Sequence, residues 1–148
     1  LLDENVEAKG NEYLKIKAIG VSPDHKLLAF SKDVKGDERY KIYIKDLKTG
    51  KLLKDRIKDT MGGLVWHENN KGLFYIPASK NWRSQKVYYH SLGTGQKEDK
   101  LIFHEKDDIF RVGIRKSSSK EYLFITTGSS IATLRPPVIE IFFRVRSP

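Results

Sequence analysis

The sequence predicts an all-β fold built from repeated four-stranded units, and three observations lead to this prediction. Residues 41–50 (KIYIKDLKTG) return 45 residues later as residues 86–95 (KVYYHSLGTG), with five identical positions. The same offset, without a gap, places Lys71, Leu73 and Tyr75 on Lys26, Leu28 and Phe30. No segment shows convincing helical periodicity, whereas short alternating runs separated by turn residues are frequent. Matches spread over a whole unit at one offset indicate an internal repeat.

The first unit contains four predicted strands, which follow a polar lead-in over residues 1–10. The strands cover residues 13–21, 27–33, 40–46 and 52–57. Alternation is clearest in the third strand, where Tyr40, Ile42 and Ile44 share one face. Turn residues separate the strands, since Pro23 fixes φ and Gly50 is free to take a positive φ. The unit therefore predicts a small antiparallel sheet.

The second unit repeats this order, and a third unit begins after it. The predicted strands of the second unit cover residues 63–66, 72–78, 85–91 and 101–104, with the turn at residues 92–95 repeating the turn at 47–50. The third unit shows strands at 109–114 and 122–127, joined by a turn at 117–120. Its offset from the second unit is 50 residues, as the step from Leu73 to Leu123 shows.

Four short strands per unit at this period are typical of the blades of a β-propeller. We predict a partial β-propeller over residues 1–130, with two four-stranded antiparallel blades at about 12–58 and 62–105 and part of a third at 109–130. Each blade buries its faces against neighbouring blades, and a ring needs at least about four of them. The predicted ring is therefore open.

Residues 131–148 depart from the repeat. Pro136 and Pro137 interrupt the pattern, and the apolar run VIEIFFRV at 138–145 has no matching turn after it. Two interpretations stay open: the run pairs as a third strand of the unfinished blade, or it is unrelated, non-native sequence appended by a frameshift or in the laboratory. The two prolines favour the second interpretation.

The composition excludes several classes of protein. The 148 residues contain no cysteine, which excludes disulfides and thiolate chemistry and fits a reducing, cytoplasmic compartment. No apolar run is long enough to span a bilayer, and the N-terminus has no signal-peptide pattern. The net charge is +9, but the 28 basic residues are interleaved with 19 acidic ones. This pattern is typical of solvated surfaces, and we predict neither a nucleic-acid nor a membrane partner.

No motif in the sequence predicts a catalytic, metal or cofactor site. The four histidines have no ligand spacing; they are His25, His67, His90 and His104. The segment 93–95 (Gly-Thr-Gly) resembles a phosphate loop but lacks its further residues. Gly128-Ser129-Ser130 lacks the second glycine of a nucleophile elbow, and residues 117–119 are serines of a surface turn.

Acidic pairs and tryptophans were the other candidates for a site. The pairs at residues 37–38 and 107–108 lie in connections, where solvated carboxylates are the usual case rather than general acid–base pairs. Trp66 and Trp82 are predicted to pack between blades rather than to form a ligand platform.

Four segments carry a resemblance to a known family, and they are VSPD at 21–24, KLLAF at 26–30, GDERY at 36–40 and KDLKTG at 45–50. They resemble the first blade region of the prolyl oligopeptidase family, with its oligopeptidase B (protease II) branch as the closer match. Supporting residues are Gly62, Gly63, Trp66, Trp82 and Arg83. The resemblance covers residues 1 to about 130.

The resemblance implies the propeller portion of a serine oligopeptidase. In this family a seven-bladed propeller caps an α/β-hydrolase domain, which carries the Ser-Asp-His triad, and excludes folded proteins. The oligopeptidase B branch cuts short peptides after Lys or Arg. None of these catalytic residues carries over to a position here, so the chain is predicted to be inactive alone, with the hydrolase domain as its missing partner. The alternative is a stand-alone interaction module that forms homo-oligomers through exposed blade edges.

Overall fold

The computed structural model describes residues 2–129 and the backbone of residues 139–144. One short α-helix, α1, covers Glu4–Ala8 and precedes the sheets. The strands are β1 Lys15–Val21, β2 Leu27–Asp33, β3 Tyr40–Asp46, β4 Leu52–Trp66, β5 Gly72–Pro77, β6 Lys86–Ser91, β7 Lys100–His104, β8 Phe110–Lys116, β9 Tyr122–Ser129 and β10 Ile139–Arg144. A 3₁₀ helix, Gln96–Glu98, lies between β6 and β7.

The strands form two antiparallel sheets in which sequential strands are neighbours. The first sheet has the order β1-β2-β3-β4-β5-β6-β7, and the second has the order β10-β9-β8. Within the described residues neither sheet closes on itself. The prediction of an all-β, open and partial propeller is confirmed.

Strand β4 joins the first two units and differs from the prediction. Two strands were expected, at residues 52–57 and 63–66, but the chain continues as one strand of 15 residues. Asp59 and Gly62 have φ values of +52° and +93°, which bend the strand without ending it. The first part of β4 pairs with β3 and the last part with β5. The sequence did not reveal this continuity because a left-handed residue inside a strand, such as Asp59, is a conformation that no local pattern specifies.

The turns between the first two strands of each unit show the repeat in their backbone dihedral angles. His25, Asn70 and Lys120 all adopt left-handed conformations, with φ of +59°, +60° and +61°. Their spacings are the offsets of 45 and 50 residues found in the sequence. Non-glycine residues seldom adopt such values, so three at equivalent positions confirm the repeat independently of residue identity.

Residues 92–95 form a turn, as residues 47–50 do, but its backbone takes a different conformation. Gly50 has a φ of +71°, whereas Gly95, its identical counterpart, has a φ of −77° and leads into the 3₁₀ helix. In the second turn the left-handed residue is Gly93, with a φ of +82°. Lys48 occupies the equivalent place in the first turn, and a glycine there is what allows the different path.

Helix α1 lies in the segment predicted as an irregular lead-in. The side chain of Asp3 caps it by accepting hydrogen bonds from the backbone N–H groups of Asn5 and Val6, at 2.9 Å and 3.4 Å. Five residues are too few to show a helical period, so the pattern could not reveal the helix. Among the described residues, no helix has the length and apolar character needed to cross a membrane.

Two apolar clusters lie between successive units and hold them together. The first contains Ala29, Ile42, Ile44, Ile57, Trp66, Leu73 and Tyr75, and the second contains Phe74, Ile76, Val87, Val112, Leu123 and Ile125. Strand β5 contributes to both clusters because its successive side chains point to opposite faces. Each fully buried valine, leucine, isoleucine or phenylalanine side chain in these clusters contributes roughly 1.5–3 kcal/mol. The units therefore stack face to face, as blades of a propeller do.

The predicted tail is described only in part. Residues 139–144 form β10, which pairs with β9 in a regular antiparallel register. Residues 131–138 and 145–148 lie outside the described residues. The domain boundary at residue 130 and the foreign origin of the tail stay predictions.

Candidate functional site

The four histidines are dispersed over the structure. His25 and His67 lie in turns, whereas His90 lies in β6 and His104 ends β7. In the part of the chain that the structure describes, no group of three or more His, Cys, Asp or Glu side chains is arranged to hold a metal ion. Only His90 stands apart from the others, because its side chain is completely buried.

The serines of the turn at residues 117–119 stabilise that turn. The Ser117 hydroxyl oxygen accepts a hydrogen bond from the backbone N–H of Tyr122 at 3.1 Å and lies 3.1 Å from the Ser119 hydroxyl. Gly128 and Ser129 belong to β9, and Ser130 lies outside the described residues. Ser117 therefore contributes to turn geometry rather than to a nucleophilic site.

The backbone amides of the Gly-Thr-Gly segment are occupied by carboxylates of the protein. The Gly93 N–H donates to Oδ1 of Asp55 at 2.7 Å, and the Gly95 N–H donates to Oε1 of Glu98 at 3.1 Å. Both amides are therefore taken by side chains, and the segment is not arranged as a phosphate cradle.

The two acidic pairs stabilise loops. The Asp37 carboxylate accepts the N–H of Arg39 at 3.1 Å, and Glu38 forms an exposed ion pair with Lys15 at 3.5 Å. Asp107 accepts the N–H of Ile109 at 2.9 Å, and Asp108 accepts the side-chain amide of Gln85 at 2.8 Å. All four carboxylates are engaged in these loop and surface contacts, which assigns them to loop structure rather than to general acid–base chemistry.

The two tryptophans have different roles. Trp66 is 3% exposed and packs in the first apolar cluster, as predicted. Trp82 contacts the first unit from the second, but it is 46% exposed, so the predicted packing between blades is only partial. Its indole N–H donates to the carbonyl oxygen of Asp37 at 2.8 Å, and the Arg39 guanidinium lies 4.6 Å from its ring centre. These two contacts of Trp82 link the loop before β6 to the loop before β3.

A buried polar network lies at the joint between the first two units. His90 is flanked by two carboxylates: Nδ1 lies 2.7 Å from Oδ1 of Asp99, and Nε2 lies 3.0 Å from Oδ1 of Asp55. The side chains of Asp55 and Asp99 are 6% and 1% exposed. The sequence did not reveal this network because its members are dispersed between residues 55 and 99 and match no ligand or catalytic spacing.

Tyr75 completes the network from strand β5. Its hydroxyl donates to Oδ2 of Asp99 at 2.7 Å. Burial raises the pKa of the Tyr75 phenol above its ordinary value, and the hydrogen bond to Asp99 raises it further. Tyr75 therefore stays protonated and serves as a donor. We call Asp55, Tyr75, His90 and Asp99 the joint network.

The joint network is suited to a structural role rather than to proton transfer with a substrate. Each imidazole nitrogen of His90 lies within hydrogen-bond distance of a carboxylate oxygen, Nδ1 of Asp99 and Nε2 of Asp55. Neither nitrogen is then available as a base toward a hydroxyl group. Asp55 comes from β4 of the first unit and His90 from β6 of the second, so the bonds cross the joint.

A cavity of about 600 Å³ lies beside the joint network. Tyr75 and Tyr88 stack at 6.0 Å between ring centres and form part of its wall with Asp99. The lining residues with basic side chains are Arg83, Lys86, Lys97 and His104. Both oxygens of Asp99 are engaged within the network. The hydroxyl of Ser79, which also lines the cavity, accepts the N–H of Arg83 at 2.8 Å. Among the described residues that line the cavity, no nucleophile is paired with a base.

Comparison with known proteins identifies one family model and several relatives that match most of this chain. Residues 1–139 match the family model described as prolyl oligopeptidase, N-terminal β-propeller domain. The chain is 37% identical to Protease 2 of Moraxella lacunata over an alignment of 131 residues. This alignment covers 87% of this chain and 19% of that protein. It is 34% identical over 134 residues to dipeptidyl aminopeptidase BI of Pseudoxanthomonas mexicana, covering 90% of this chain and 18% of that protein.

Solved structures show the same similarity. Oligopeptidase B from Leishmania major superposes with a TM-score of 0.90 at 26% identity, covering 99% of this chain and 20% of that chain. Oligopeptidase B from Trypanosoma brucei, in a closed form with covalently bound antipain, superposes with a TM-score of 0.85 at 30% identity, covering 98% of this chain and 19% of that chain. The chain spans about a fifth of the length of the proteins it matches.

Proposed function

This chain belongs to the prolyl oligopeptidase family, as part of its N-terminal β-propeller domain, and on that premise we propose that it serves a serine oligopeptidase of the oligopeptidase B type. The observation that carries this proposal is the family match over residues 1–139. The two apolar clusters support it, because each is shared by successive blades, as a sector of a ring requires. The chain then supplies scaffold and not catalytic groups.

In this proposal the propeller covers an α/β-hydrolase domain and admits only short peptides. The substrates are peptides cut after Lys or Arg, and the location is the cytoplasm. The sequence supports a scaffold role, since its 148 residues contain no Gly-x-Ser-x-Gly segment. The chain by itself is accordingly inert, and catalysis belongs to the hydrolase domain of the complete protein.

The proposal is tested on the complete protein encoded by the parent gene. We expect its sequence to contain a Gly-x-Ser-x-Gly segment, and we expect the purified protein to cleave a short Arg-containing fluorogenic peptide in a reaction that a serine-directed inhibitor stops. A folded protein that contains Arg should resist cleavage, whereas its unfolded short peptides should be cut. A parent protein without the segment, or one that cuts folded and short substrates equally, would contradict the proposal.

The second candidate is an interaction module that self-associates through exposed blade surfaces. Three exposed side chains favour it: Ile19 of the edge strand β1 is 53% exposed, and Ile109 and Tyr122 of the third unit are 41% and 37% exposed. Size-exclusion chromatography with light scattering decides between monomer and oligomer. Oligomers that dissociate when Ile19 and Tyr122 are replaced by lysine support the module, and a monomer at all concentrations excludes it.

A further inference from the structure

The joint network occurs where the second blade departs from the repeat. At the offset of 45 residues, Tyr75, His90 and Asp99 correspond to Phe30, Lys45 and Lys54 of the first blade. The strand registers support this alignment, because Phe30 pairs with Tyr43 and Tyr75 pairs with Tyr88, which is 45 residues after Tyr43. The three residues that differ from their counterparts in the first blade therefore belong to one hydrogen-bonded network.

The difference between Phe30 and Tyr75 is a single hydroxyl group. That hydroxyl is the atom that donates to Asp99 at 2.7 Å. The two aromatic rings pack in the same way, because each stacks on the tyrosine opposite it on the next strand. The ring centres are 5.5 Å apart for Phe30 and 6.0 Å apart for Tyr75. The second blade has thus kept the packing of the repeat and added a polar contact to it.

Asp55 is the contribution of the first blade to the network. Its Oδ1 accepts the Gly93 N–H at 2.7 Å and lies 3.0 Å from Nε2 of His90. The corresponding residue of the second blade is Lys100. A blade surface with lysine at this place would set an ammonium group against the buried imidazole of His90, which is strongly unfavourable away from water.

The joint between the second and third blades is built differently. Ile125 corresponds to Tyr75 at the offset of 50 residues, and its side chain contains no polar atom. It lies in the second apolar cluster with Val112 and Leu123. The apolar faces of the blades are therefore chemically similar, whereas the network distinguishes the first joint from the second.

We propose that Asp55, Tyr75, His90 and Asp99 form a recognition lock, which directs the second blade to pack on the first blade and on no other blade surface. Repeated blades with similar apolar faces can pack in a shifted arrangement or on another molecule, and a buried polar contact that only one neighbour satisfies penalises those alternatives. The partner of this face of the second blade is therefore a blade with a carboxylate at the position of Asp55. The inference does not depend on the proposed enzyme activity.

Trp66 supplies a probe of the lock. Its indole N–H donates to the carbonyl oxygen of Gly20, which belongs to the first blade, at 2.8 Å. Its indole N–H resonance, in a ¹⁵N-labelled sample of this chain, therefore reports how the second blade packs on the first. We expect one Trp66 signal in the unchanged chain. In Asp55→Lys we expect two or more, because the blades then pack in more than one arrangement.

The matched controls separate recognition from mere loss of stability. Ile57→Val removes a methylene group from the same joint, and we expect about a fivefold faster exchange of the Trp66 indole proton with a single signal. Tyr88→Phe removes a hydroxyl that has no hydrogen-bond partner in the described part of the chain, and we expect no change. A single Trp66 signal in Asp55→Lys, with faster exchange alone, would overturn the proposal.

A milder variant covers the case in which Asp55→Lys fails to fold. Asp55→Asn preserves the size of the side chain and removes its charge. In this variant we expect a weaker second Trp66 signal beside the main one, at ambient pressure and room temperature. Two signals in this variant, against one in Ile57→Val, support the lock. One signal in both variants contradicts it.

Discussion

The indole Nε1 of Trp66 lies 2.8 Å from the carbonyl oxygen of Gly20 and donates a hydrogen bond to it across the joint between the first two blades. The approach is close, because a Cβ atom at residue 20 would lie 3.4 Å from the indole and 3.1 Å from the side chain of Leu64. Trp66 is 3% exposed and packs in the first apolar cluster. One side chain thus provides both apolar contact and a directed bond between blades.

Replacing Trp66 by phenylalanine should lower the free energy of unfolding by about 2–4 kcal/mol, since it leaves a cavity and a buried carbonyl group without a donor. Urea unfolding measures this loss. Trp82→Phe is the matched control, because Trp82 is 46% exposed and its contacts are a loop hydrogen bond and a cation–π contact. We expect it to cost about 1 kcal/mol or less. Equal losses in the two variants would contradict the assignment of Trp66 to the joint.

Gly72 is the second position where a small change should be costly. It begins β5, and a Cβ atom added there would overlap the carbonyl oxygen of His90 and the hydroxyl of Tyr89. Gly72→Ala should therefore lower the free energy of unfolding by about 3 kcal/mol, as overpacking against backbone does.

The control for this prediction is Gly63→Ala in β4. A Cβ atom at Gly63 would meet no atom within 4 Å, so its cost should be within about 1 kcal/mol. Thermal unfolding of the two variants side by side gives the comparison. A Gly72→Ala variant as stable as Gly63→Ala would mean that β5 and β6 are not packed as described.

The carboxyl group of Asp33 should make stability depend on pH. Burial acts to raise its pKa, but hydrogen bonds from the backbone N–H groups of Lys35, Glu38 and Gly36 outweigh burial and hold the pKa below its ordinary value. A carboxyl whose pKa is lower in the folded chain contributes stability at pH values above its unfolded pKa, about 4. That contribution is lost as the pH falls through the folded pKa.

Asp33→Asn should therefore lower the free energy of unfolding by about 1–3 kcal/mol at pH 7, and the difference from the unchanged chain should shrink below about pH 4. Urea unfolding at a series of pH values measures both quantities. Glu12→Gln is the control, because Glu12 is exposed and should show no such trend. A difference that is constant from pH 7 to pH 3 would assign the loss to shape and not to charge.

The repeat made most of the fold predictable. Alternation marked strands such as Tyr40–Asp46, and Pro23 and Gly50 marked turns, because these signals are local in the chain. The bend in β4 escaped prediction because it depends on a left-handed Asp59, a conformation that no local pattern specifies. The exposure of Trp82 could not be predicted from a residue type that favours burial, because its contacts with Arg39 and the carbonyl oxygen of Asp37 lie at the surface.

The joint network could not be predicted from motifs. Its residues lie on strands of two blades and in the connection that ends at Asp99, so only the folded sheet brings them together. The signal that could have found it is the repeat itself, aligned position by position. Tyr75 in place of Phe30 and His90 in place of Lys45 are departures that a solvated surface does not require.

The most direct test of the account is a peptidase assay on this chain alone. The purified chain is incubated with a short Arg-containing fluorogenic peptide, with and without a serine-directed inhibitor, beside a mock preparation from the same host. A scaffold of propeller blades predicts no turnover above the mock preparation. Turnover that follows the chain through purification and is abolished by the inhibitor would contradict the account.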